Sequence, residues 1–155
     1  MKTLTDREAM EWCKQWPLQF TFDSAGLLCA FTEGLTYRVD ISAMGWRDVV
    51  STATALTFLN CRTSEQFSGG LMWVRRTGIA SPDWEVVLLR TFERFRLGYG
   101  ETRSLEAARA QLFRKDESSE CAGTLLLVLL AEWTFISCIH LVIGLRSSIM
   151  IIISV

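Results

Sequence analysis

The sequence predicts an α+β protein with an N-terminal helix, an antiparallel meander of three or four strands, and a C-terminal helical layer. Three observations carry that expectation. A capping-box spacing opens the chain, runs of alternating apolar and polar residues follow it, and helix-start signals gather in the second half. The length of 155 residues suits one core of ordinary size. Half of the residues are hydrophobic and 21% are charged, which excludes a disordered composition.

Thr5-Asp6-Arg7-Glu8 has the Thr-x-x-Glu spacing in which hydroxyl and carboxylate satisfy free backbone donors at a helix start. The helix is expected to carry Ala9, Trp12, Cys13 and Trp16 on an apolar stripe and to end at Pro17. Residues 18–23 and 35–41 alternate cleanly, and 27–32 are mostly apolar. With turns at Ser24-Ala25-Gly26 and Glu33-Gly34, they read as the meander. Trp46, Val49, Val50, Ala53 and Leu56 recur at helical spacing within 45–60. Residues 62–70 have loop composition, and 71–77 read as a fourth strand before Gly78.

Ser81-Pro82-Asp83-Trp84-Glu85 joins a capping hydroxyl, a first-turn proline and two carboxylates at the positive end of a helix dipole. That helix is expected to run to about Leu97 and stop at Gly98. A second helix is expected over 104–115, presenting Leu105, Ala108, Leu112 and Phe113, and a third from about Ser119.

Composition breaks at residue 121. Residues 122–155 contain Glu132, His140 and Arg146 as their only ionisable side chains, so the chain divides into a 1–121 α+β region and an apolar 122–155 segment. Residues 122–145 are long and apolar enough for a membrane span, with Glu132 near the middle as the cost. The competing reading makes 121–133 a buried core helix and 134–143 and 149–155 two β-branched strands. The N-terminal residues lack the features of a secretory signal or transit peptide, so the expected location is the cytoplasm, or the membrane if 122–145 is an anchor.

The residues offer little chemistry. His140 is the only histidine, which excludes any metal site built on two. No G-x-S-x-G, H-E-x-x-H, G-x-G-x-x-G or phosphate-loop pattern is present. Asp83 and Glu85 fit a helix N-terminus, and Gly98-Tyr99-Gly100-Glu101 fits a turn. Cys13, Cys29, Cys61, Cys121 and Cys138 are odd in number and lack C-x-x-C spacing, so they read as small buried hydrophobes. No catalytic residue, cofactor or metal is expected, and the chain reads as a non-enzymatic binding or accessory protein acting through a protein partner.

The charge pattern narrows where a partner would bind. The formal net charge is only −1, but residues 71–115 hold nine basic and five acidic groups, and eight of the basic ones are arginine. Arg90 and Arg94 stand one turn apart. The plainest role for such arginines is a solvated helix face with pairs such as Arg90 or Arg96 to Glu93 and Glu106 to Arg109. Six tryptophans are many for this length, and Trp and Arg carry binding energy at interfaces. Trp46, Trp73 and Trp84 stand beside charged residues at the edges of expected elements. The expected partner contacts are therefore Trp46, Trp73, Arg75, Arg76, Trp84, Arg90 and Arg94. Two other classes stay open: a C-terminally anchored membrane protein, and an anion or nucleic-acid binder using 71–115, the latter disfavoured by its modest basic excess.

Overall fold

The computed structural model describes residues 1–14, 18–22, 28–32, 35–40, 45–62, 70–76, 82–143 and 145–154, with side-chain surroundings over 1–14, 45–61, 70–74 and 86–138. The chain order is β1 (Lys2–Leu4), α1 (Asp6–Cys13), β2 (Leu18–Phe22), β3 (Leu28–Thr32), β4 (Leu35–Asp40), α2 (Trp46–Arg62) and β5 (Gly70–Arg76). It continues with α3 (Pro82–Leu97), β6 (Ala110–Phe113), α4 (Ser118–Leu130), β7 (Thr134–Ile143) and β8 (Leu145–Ser154). The expected helix stop at Pro17, the turns at 24–26 and 33–34, the loop at 63–69, and Gly78, Ser81 and Gly144 lie outside the described residues.

The α+β class stands, with a strand arrangement different from a simple meander. β2 and β3 pair antiparallel as a separate two-stranded sheet, while β4 leaves them to pair in parallel with β8, Leu35 opposite Ile149. The main sheet has six strands in the order β1-β6-β5-β7-β8-β4. β7 and β8 come from the apolar segment, and their pairing runs from Phe135/Ile153 to Ile143/Leu145. Residues 134–143 and 145–154 form strands, so β8 begins four residues before the expected start at Ile149 and takes in residues 145–148, whose composition suggests a turn. Among the described residues, no helix is long and apolar enough to cross a membrane.

Glu132 shows why. α4 ends with a paired-hydrogen-bond cap in which Trp133 N–H donates to the Val128 carbonyl at 3.1 Å and Glu132 N–H to that of Leu129 at 3.1 Å. Glu132 holds the left-handed position, φ 53°, and its side chain is exposed. The carboxylate that would burden a span instead marks the point where the helix becomes a strand.

The expected helix over 104–115 is replaced by a single turn and strand β6. Ala107 and Ala108 N–H donate to the Ser104 carbonyl, and Ala110–Phe113 then insert between β1 and β5. Pairing on both edges outweighs the helical spacing of Leu105, Ala108 and Leu112. β1 was not foreseen at all, since three residues are too few to show a pattern.

Both faces of β5 are covered. β5 sends Met72 and Val74 to a core shared with α2, α3 and α4, where Phe92, Leu125, Val128, Trp133 and Phe135 pack. It sends Leu71 and Trp73 to a second core with α1, Ala110, Ile136 and Cys138. This two-sided burial explains why β5 and the start of β7 read as continuous apolar runs. α1 carries the expected capping box, Glu8 N–H to Thr5 Oγ1 at 3.2 Å and Thr5 N–H to Glu8 Oε2 at 2.7 Å. The Thr5 hydrogen bonds hold the Glu8 carboxyl below its ordinary value. α2 keeps its threonines by turning their hydroxyls back onto the helix, Thr54 to Val50 O and Thr57 to Ala53 O.

Candidate functional site: an arginine-lined cleft on α3

α3 ends in a turn that shapes the site. Glu101 N–H donates to the Arg96 carbonyl at 3.1 Å and Gly100 N–H to that of Leu97 at 2.9 Å, with Gly100 at φ +82°. The residue that closes the helix is thus Gly100, two positions beyond the expected Gly98, because Gly100 takes the left-handed conformation. The turn swings residues 101–104 back alongside the helix. Between them and α3 lies a cleft of about 420 Å³, lined by Arg90, Glu93, Arg94 and Leu97 on one side and Glu101 to Ser104 on the other.

The far wall is braced. Glu101 accepts Arg103 N–H at 2.7 Å, Nε at 2.9 Å and Nη2 at 2.6 Å, and Arg103 Nη2 also donates to the Thr3 carbonyl of β1 at 3.1 Å. The hydrogen bonds from the Arg103 side chain bring the Glu101 carboxyl down from 4.5 to about 2 and raise the Arg103 guanidinium. Both groups are therefore charged and already engaged with each other.

Arg96 faces inward. It is 1% exposed, donates through Nη2 to the Ala108 carbonyl at 2.8 Å, and stacks over Phe92 with 5.9 Å from guanidinium carbon to ring centroid. Burial lowers its pKa below the ordinary arginine value, against the opposing pull of Glu101 and Glu93. Arg96 Nε and Nη1 have no hydrogen-bond partner among the described residues.

Arg90 and Arg94 differ from both. They are exposed on the cleft wall, and among the described residues neither side chain makes an ion pair or hydrogen bond. The expected intrahelical pairs do not form. Glu93 accepts the Leu105 N–H at 3.4 Å, and Arg109 pairs with Asp6 of α1. Two like charges four residues apart on a helix repel, so their placement costs stability. Leu97, 56% exposed, adds an apolar edge to the same cleft.

The remaining expected contacts separate. Trp73 is not a partner contact: it is 0% exposed in the α1 core, its Nε1 donating to Asp6 Oδ1 at 2.9 Å. The interior of β5 left it no surface. Trp46 is 59% exposed at the start of α2, with Val50 and Phe58 also exposed on that helix. The side chains of Arg75, Arg76 and Trp84 lie outside the described residues. Sequence reasoning missed Glu101, Thr102, Arg103 and Ser104, which only the Gly100 turn brings to the cleft. The Gly-x-Gly preceding them was the available signal.

Among the described residues, no three His, Cys, Asp or Glu side chains cluster as a metal site. Comparisons with protein-family models, curated protein sequences and solved structures return no match.

Proposed function

We propose that the chain is a small non-enzymatic binding protein, acting in the cytoplasm, that takes an acidic segment of a protein partner into the α3 cleft. The observation that carries this reading is the pair Arg90 and Arg94: exposed, one turn apart, lining a cleft, and without an ion pair among the described residues. Guanidinium groups bind carboxylates through two parallel hydrogen bonds, so two arginines at this spacing suit two acidic side chains. Leu97 gives an adjoining apolar contact, and Trp46 with Val50 and Phe58 offers a further apolar surface on α2.

A nucleic-acid backbone is the weaker alternative, because residues 71–115 carry only a modest basic excess of nine basic to five acidic groups. The test is fluorescence anisotropy with a fluorescein-labelled peptide of glutamate and leucine, beside a labelled single-stranded oligonucleotide. Peptide binding that weakens roughly tenfold or more in R90A/R94A is expected, from the loss of charge-assisted hydrogen bonds. Equal peptide affinity for both proteins overturns the assignment. Tighter oligonucleotide binding that falls steeply with salt transfers it to nucleic acid.

A further inference from the structure

Four of the five cysteines meet as two buried pairs, one on each face of the sheet. Cys61, next to the last residue of α2, donates its thiol to the Glu117 carbonyl at 4.0 Å. That same carbonyl accepts the backbone N–H of Cys121 at 3.0 Å, so α2 is held against the first turn of α4 at this point. Cys61 and Cys121 are both fully buried in the same core cluster, with their thiols beside each other. On the opposite face Cys13, the last residue of α1, lies buried in one core cluster with Cys138 of β7, their thiols neighbouring each other. Thiol–thiol contact and burial push Cys121 and Cys138 well above their ordinary value, as befits neutral thiols in a low-dielectric core.

We propose that both pairs are cystine sites: Cys61–Cys121 staples α2 to α4, Cys13–Cys138 staples α1 to β7, and a low-molecular-weight disulfide supplies the oxidising equivalents. Two thiols that already neighbour each other in a packed core are placed to approach the S–S bond length of about 2.05 Å. The chemistry balances with oxidised glutathione. One cysteine thiolate attacks its S–S bond, forming a mixed disulfide and releasing one glutathione thiolate. The second cysteine thiolate then displaces the other glutathione. Two protein thiols have lost two electrons and two protons, and one oxidised glutathione has become two reduced molecules. Burial slows this exchange in the closed core, so the bonds form as the chain folds or opens locally under oxidising conditions, while in a reducing cytoplasm the four thiols stay reduced. The paired positions are 60 and 125 residues apart, and cross-links across such long loops restrict the unfolded chain strongly. The odd cysteine count hid this pairing in the sequence, since Cys29 is left over.

The test refolds the full chain in a glutathione redox buffer, quenches with iodoacetamide under denaturing conditions, and maps unreduced peptides by mass spectrometry. The expected map links Cys13 to Cys138 and Cys61 to Cys121 and leaves Cys29 alkylated, with a higher unfolding midpoint than the dithiothreitol-treated protein. A C61A/C121A variant is expected to keep the Cys13–Cys138 link alone. Alkylation of all five cysteines after the oxidising incubation overturns the proposal, and so does any map dominated by other pairings or by links between chains.

Discussion

Arg96 and Arg94 are two residues apart on α3, carry the same charge, and do opposite work. Arg96 is buried over Phe92 with one guanidinium nitrogen bonded to Ala108 O, so it belongs to the fold. Arg94, with Arg90, is exposed on a cleft wall, and neither guanidinium has an ion pair or hydrogen bond among the described residues. The difference teaches that an arginine count carries little function by itself. What separates a structural arginine from a binding one is whether the folded chain has already spent its donors.

The largest effect is expected from removing the committed arginine. Arg96→Ala leaves a void beside Phe92 and an unpaired Ala108 carbonyl, and should cost about 3 kcal/mol in urea unfolding. Arg96→Met keeps most of the volume and removes a buried charge with two unpaired nitrogens. It should cost less than half as much. Equal losses in the two variants would mean that charge, rather than packing, anchors this residue.

A second buried polar group extends the same contrast. Asn60 is fully buried, donates to Leu56 O at 2.7 Å and accepts the Ser137 hydroxyl at 3.0 Å. Gly70 makes room for it, since a Cβ there would stand 2.4 Å from Asn60 Oδ1 and 2.9 Å from its backbone oxygen. Gly70→Ala is therefore expected to destabilise by about 2 kcal/mol, read as a fall in the denaturant midpoint.

Arg103 tests the intermediate case of a committed but exposed arginine. Its partner Glu101 is held at about 2 against an ordinary 4.5, so the folded state binds fewer protons than the unfolded chain between those values. The pair's contribution is present above pH 4.5 and drains away as pH falls toward 2. After solvent screening it should amount to about 1 kcal/mol. Glu101→Gln should flatten stability against pH across that window, measured by thermal unfolding at stepped pH.

Glu132 offers a smaller test, at another surface charge where stability favours a different residue. Its φ of 53° suits glycine, so Glu132→Gly should stabilise by about 0.5 to 1 kcal/mol. A loss of stability on thermal unfolding would show that the Glu132 side chain contributes to the fold.

Much of this architecture could be read locally. The Thr5/Glu8 capping box, the alternation at 18–22 and 35–40, and the Pro82 helix start each record interactions within a few residues, and all returned as elements. Long-range pairing could not be read. β4 joins β8 across more than 100 residues, and Ala110–Phe113 is a strand only because β1 and β5 flank it. The site divides the same way. Arg90 and Arg94 were visible from their spacing, whereas the Glu101–Arg103 wall depends on the Gly100 turn and Trp73 was misplaced because both faces of β5 are buried.

On the proposed function, α3 keeps its buried, stabilising arginine apart from the two exposed arginines that take the partner. The most direct measurement takes R90A/R94A and wild type through thermal unfolding and the glutamate–leucine peptide titration on the same samples. The account predicts stability within about 0.5 kcal/mol of wild type, as for exposed residues without partners, together with an affinity loss of roughly tenfold or more. A clear fall in stability, or peptide binding unchanged in a well-folded variant, would contradict it.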